Sequence, residues 1–154
     1  MTTTASASAQ VDVRGPRFAA WVTTVVLAAV IALSAVSVPA ATVLLAAQAL
    51  VFAIGAAFGP RKHPYGWLYA RLVAPRIGPA GDREPVAPLR FAQLVGFIFT
   101  IAGLVGFTAG ATLIGVIATA FALFAAFLNA AFGICLGCKL YPLVVRLRHF
   151  GDRR

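Results

Sequence analysis

A chain of 154 residues with 61% hydrophobic residues, a mean hydropathy of +0.93 and a formal net charge of +9 is too apolar for an ordinary soluble domain. Its charges are segregated: none falls in residues 18–60 or 91–138, runs of 43 and 48 residues. A membrane span takes about 20 apolar residues, so each run holds two spans and a tight turn, and the expected fold is an all-α integral membrane protein with four transmembrane helices.

Residues 1–15 open on small polar side chains and read as a disordered cytoplasmic tail. A single transmembrane domain is expected over 16–148. Its first span covers 18–38, with Pro39 marking the turn, and the second covers 40–58, closed by Gly59-Pro60. The third covers 91–107, with a turn in Thr108–Thr112, and the fourth covers 113–134. Backbone polar groups must be satisfied within lipid, so the spans are helices, arranged as two hairpins. Residues 149–154 form a basic tail. Small side chains at Gly55/Gly59, at Gly106/Gly110 and along Ala118, Ala122, Ala126 and Ala130 predict close helix packing, within one chain or in a homo-oligomer.

The segment between the hairpins is patterned. Tyr65, Leu68, Tyr69, Leu72 and Val73 recur at helical spacing, Pro64 suits a first turn and Pro75 a stop. The spacing predicts a short helix over 64–74 on the membrane surface. His63, Tyr65, Trp67, Tyr69, Arg71 and Arg76 are its candidate contacts to lipid or a partner; an ordinary aromatic belt is the simpler version of the same reading. The turn-rich stretch that follows leads into the third span.

All 13 Lys and Arg flank the spans on one side, and the two opposite turns carry none. The positive-inside rule then places both termini and the central segment in the cytoplasm. Anionic lipid accounts for the basic excess without nucleic acid. "SVPAA" has the look of a signal cleavage site, but the apolar run before it is longer than a signal core.

No Asp, Glu, Lys, Arg or His falls inside a span. That argues against a proton-coupled transporter, and haem has no buried histidine to bind it. No cofactor is implied. Gln48 and Asn129 are the polar exceptions, read as interhelical hydrogen-bonding residues that hold helix packing. The remaining chemistry is Cys135 and Cys138, followed by Lys139. Three readings stand. A C-x-x-C pair suits reversible disulfide chemistry, with Lys139 favouring a thiolate. Two thiolates are also half a tetrahedral metal site, which His63 or His149 would have to complete. Small buried cysteines also serve simply as packing residues. The backbone bears on the choice: a helix end at the pair opposes a thiolate, whereas a new helix starting at Cys135 favours one.

Three stretches, "FGPRKHPYGWLYARLVAPRIGP", "PVAPLRFAQLVGFIF" and "LNAAFGICLGCKLYPLV", resemble an uncharacterised bacterial membrane family catalogued as domain of unknown function 4395, over residues 15–148. Its entry motif matches Pro88, Arg90, Phe91, Ala92 and Gln93, and its tail matches Asn129, Cys135 and Cys138. The resemblance implies a bacterial inner-membrane protein with a thiol-redox or sulfur-relay role. It also implies partnership with a thioredoxin-like protein or a rhodanese-type sulfurtransferase. Four-helix quinone-linked disulfide formers carry C-x-x-C on the outer face, whereas the charges here place it inside. The rival expectations are a scaffold docking a cytoplasmic protein through residues 61–90, and a small-solute channel or transporter subunit built by oligomerisation.

Overall fold

The computed structural model describes residues 10–78 and 81–151. Four helices are long and apolar enough to cross a membrane: α1 (Arg14–Ser34), α2 (Val38–Phe58), α5 (Val86–Thr108) and α6 (Thr112–Phe132). By their length and composition the chain is a multi-pass membrane protein. Between α2 and α5 lie α3 (Pro64–Leu72), α4 (Ala74–Ile77) and a strand, β2 (Arg83–Pro85). A strand β1 (Gln10–Asp12) precedes α1, and α7 (Leu136–Gly151) follows α6.

The four long helices form a ring in which α1 touches α2 and α6, and α5 touches the same two. Leu27, Val30, Ala41, Leu45, Phe107 and Ala122 make the shared core. Large apolar side chains such as Val25, Val43, Ile98, Phe121 and Phe124 point outward and are exposed. Chain packing leaves that surface uncovered, as lipid-facing helices require. Hydroxyls in the core return to their own helix: Thr100 Oγ1 donates to the Phe97 carbonyl at 2.9 Å, and Thr119 Oγ1 to the Gly115 carbonyl at 2.8 Å. A close helix approach joins α5 and α6. A Cβ on Gly106 would lie 2.8 Å from Gly115 Cα, so only glycine fits there.

Several boundaries differ from the expected ones. The first turn is Ala35–Ser37, and Pro39 lies inside α2. Ser37 is the N-cap, its Oγ accepting from Ala40 N–H at 3.4 Å, and a proline in the first turn removes an N–H that has no helical partner. α1 starts at Arg14 because Asp12 Oδ1 accepts from the Arg14 N–H at 2.9 Å. α5 starts at Val86, and Arg90 folds back from it onto the end of α2. Arg90 Nε donates to the Ala56 carbonyl and Nη2 to the Ala57 carbonyl, each at 2.8 Å. A cation is thereby placed at a helix C-terminus, where the dipole favours it.

The expected disordered tail is ordered from Gln10 onward, and residues 1–9 lie outside the described residues. β1 pairs antiparallel with β2, Val11 opposite Glu84 and Asp12 opposite Arg83. This short ribbon ties the N-terminal segment to the central one. The last stretch is also more regular than expected. After α6 the chain folds into the 16-residue α7, which packs on α5.

Candidate cysteine pair and the polar corner beside it

The cysteines sit at a helix start. Gly133, at φ 67°, ends α6: its N–H reaches the Asn129 carbonyl at 3.1 Å, and the Ile134 N–H reaches the Leu128 carbonyl at 3.2 Å. That paired arrangement closes a helix around a left-handed glycine. Three residues after Gly133 α7 begins, and Cys135 precedes its first residue. Cys135 Sγ accepts from the Cys138 N–H at 3.2 Å, and its carbonyl accepts from the Lys139 N–H at 3.0 Å. Cys135 therefore occupies the position that Ser, Thr or Asp usually fills at a helix N-cap. Of the two backbone possibilities, the chain takes the one that favours a thiolate.

The sulfurs of Cys135 and Cys138 are paired at disulfide distance, with the Cα atoms 5.1 Å apart. Both residues are half-buried. The helix start is pressed against α5: a Cβ on Gly137 would lie 2.6 Å from Ala92 Cβ. Phe91 and Tyr141 add an aromatic contact between α5 and α7, with ring centroids 6.0 Å apart. Arg17 approaches from α1, its guanidinium carbon 3.6 Å from where a Cβ on Gly133 would stand. Across from it, burial raises the Glu84 carboxyl above its usual range, and the Arg17 charge opposes that rise. Lys139 is exposed. The Asn129 side chain lines a cavity of about 380 Å³ that Cys135, Leu136 and Gly137 also border, and it makes no side-chain hydrogen bond among the described residues.

His63, Tyr65 and Tyr69 do not lie where the sequence reading put them. His63 is 2% exposed and Tyr69 is 6% exposed. The Tyr69 ring packs on Phe18 at 5.8 Å, and its hydroxyl donates to Asp12 Oδ2 at 3.2 Å. Tyr65 is half-buried and donates to Gln48 Oε1 at 2.8 Å, joining α3 to α2. The expectation of lipid or partner contact for His63 and Tyr69 is therefore replaced by interior packing, because each ring turns toward the bundle. Trp67, Arg71 and Arg76 stay exposed, Arg71 lying over the Trp67 ring at 5.2 Å.

Around His63 the polar groups are incompletely paired. Its ring stands edge-on to Tyr65 at 5.3 Å and fills the notch left by Gly55 on α2, with Gln93 alongside. Burial lowers its pKa to about 4, and the nearby Gln93 opposes the shift, yet neither ring nitrogen has a well-formed hydrogen bond. Gln93 Oε1, Gln48 Nε2 and Arg14 Nη1 are also buried without a partner. The sequence did hold a signal for Gln93, an amide in the first turns of a span, but it stood out less than the cysteines. Among the described residues no three of His, Cys, Asp and Glu gather as a metal would need.

A family model with the description "Domain of unknown function (DUF4395)" matches residues 11–146. No curated protein and no solved structure matches the chain.

Proposed function

The chain belongs to the DUF4395 family, and from the geometry above we propose that it is a membrane-anchored thiol–disulfide exchange protein whose reacting pair is Cys135 and Cys138. The observation that carries this reading is the N-cap position of Cys135, with its sulfur accepting the Cys138 N–H. A thiolate there gains the field of the α7 N-terminus and a backbone hydrogen bond, and the Arg17 guanidinium, close to Gly133 two residues earlier, adds positive charge to the same loop.

In the reduced form the Cys135 thiolate attacks one sulfur of a partner's disulfide. A mixed disulfide forms, and the partner's other sulfur leaves as a thiolate. Cys138, deprotonated, then attacks Cys135 Sγ; the intramolecular disulfide forms and the partner leaves with its second thiolate. The partner gains two electrons and this chain loses them, and the reverse sequence oxidises the partner. The partner is a soluble protein dithiol of the thioredoxin-like or sulfurtransferase kind. The pair faces the cytoplasm of a bacterial inner membrane, with both termini and residues 59–90 on that side, because all the basic residues flank the spans there. The short helix α3 rests at the same surface, with Trp67 and Leu72 toward the headgroups.

One observation favours the rival scaffold reading. Trp67, Arg71, Arg76 and Ile77 form an exposed strip on the central segment, a shape that suits docking of an acidic cytoplasmic surface. Both readings are tested by trapping in native membranes. Cys138→Ser is expected to hold a partner as a stable mixed disulfide through Cys135, and Cys135→Ser to hold much less. Capture by neither variant, with a partner still retained by the double variant, transfers the function to the exposed strip.

A further inference from the structure

Beside the cysteine pair lies a larger cavity of about 790 Å³, enclosed by β1, α1, α3, α4 and α5. His63 and Gln93 stand in its wall, and His63 is 98% buried with Gln93 alongside but neither ring nitrogen in a well-formed hydrogen bond. Buried polar groups are normally satisfied, and those that are not call for an explanation. We infer that this cavity is a binding site for an alcohol-headed amphiphile, its hydroxyl held between His63 and Gln93.

The head follows from counting donors and acceptors. The ring is neutral at ordinary pH, since burial opposes its charged form, so it offers one N–H and one lone pair. Gln93 Oε1 offers lone pairs only. A hydroxyl both accepts and donates: it takes the ring N–H and gives its own proton to Gln93 Oε1. A carboxylate only accepts, and would set a negative charge against the amide oxygen. An ammonium only donates, and leaves the ring N–H unpaired.

The apolar body follows from one part of the remaining wall, the rest being lined by Gln10, Asp12, Arg61, Tyr69 and Arg83. Pro16, Ala19, Ala70, Ala74 and Leu89 supply no hydrogen-bonding side chain. Pro16, Ala19, Leu89 and Gln93 also border the 380 Å³ cavity that reaches between α1, α5 and α6, where Phe52, Val95 and Phe99 stand. A chain attached to the hydroxyl thus has an apolar path into the bundle. In the same wall, Arg61 Nη2 donates to the Gln10 carbonyl at 3.4 Å. This site does not depend on the thiol chemistry proposed above, and it stands if the cysteine reading fails.

The test uses the whole chain in lipid nanodiscs, with His149→Gln leaving His63 as the one histidine and its ring nitrogens labelled with ¹⁵N. 1-Decanol is expected to shift both ring resonances saturably. Decanoate, with the same chain and a charged head, is expected to bind at least about tenfold more weakly, and n-butanol, the head without the chain, likewise. Ala70→Phe places a ring at the cavity wall while leaving His63 and Gln93 in place, and is expected to abolish the saturable shift while the spectrum of the protein stays folded. A shift that is linear in 1-decanol, is equal for decanoate, or survives Ala70→Phe would overturn the site and leave His63 facing water alone. Equal binding of n-butanol would overturn the membrane-borne ligand in favour of a small soluble alcohol.

Discussion

At the end of the bundle where α1 turns into α2 and α5 into α6, the helices touch backbone to backbone. At the other end, where α3, α7 and the β-ribbon gather, α7 still presses on α5 at Gly137 and Ala92, but polar side chains and two cavities stand between the long helices. Gly106 against Gly115 typifies the first region, and His63 against Gly55 and Gln93 the second. The first arrangement has little slack and, among the described residues, no buried unpaired side-chain group. The second keeps orphaned nitrogens and open volume, features that packing alone selects against. The difference separates residues that hold the bundle together from residues available for chemistry.

Matched glycine substitutions break the comparison most strongly. Gly106→Ala drives a methyl into the backbone of α6, and overpacking of that kind costs about 3 kcal/mol. Gly96→Ala, by contrast, meets first the Phe52 ring edge, at 2.7 Å, and Phe52 borders a cavity that leaves its side chain room to give. Its cost is expected to stay below about 1 kcal/mol. Unfolding in mixed micelles measures both, and equal costs would show that the two ends are packed alike.

Acid sharpens the contrast next. The folded pKa of His63 is about 4, below its ordinary 6.5, so the unfolded chain binds the proton more readily. Stability contributed by the neutral ring is present above pH 6.5 and is lost as pH falls from there toward 4. Between pH 7 and pH 5 the loss is about 2 kcal/mol. Melting temperatures in nanodiscs, compared with His63→Gln, should show that slope in the native chain and a flatter one in the variant. Identical slopes would mean that His63 is open to water.

The smallest effect belongs to the clasp between the ends of α2 and α5. Arg90→Gln removes the cation from the Ala56 and Ala57 carbonyls and should cost about 1 kcal/mol. Hydrogen exchange should quicken in the last turn of α2, with little change at Gly106. Uniform quickening would make the clasp a global support instead.

The four spans were legible because their signal is long: two charge-free runs leave room for little else. The ribbon was not, since Gln10–Asp12 and Arg83–Pro85 are three residues each and pair across some seventy positions, beyond any local pattern. His63 was misplaced for a related reason. Beside Arg61 and Lys62 it has the composition of a surface, yet the Gly55 notch that admits its ring belongs to another helix. Cys135 and Cys138 drew attention by spacing alone. Their setting depended on whether Gly133 ended one helix before Leu136 began the next, which two glycines allow without deciding.

The most direct measurement of the exchange proposal is the pH profile of Cys135 alkylation in the Cys138→Ser variant, in membranes reduced beforehand. An ordinary thiol titrates at about 8.5. With the α7 N-terminus at Cys135 and Arg17 close to Gly133 two residues earlier, Cys135 should react with a midpoint at least about one unit lower, and Arg17→Gln should move that midpoint back upward. A midpoint at or above the ordinary value, unmoved by Arg17→Gln, would contradict a reactive thiolate and leave the pair as packing residues at a helix start.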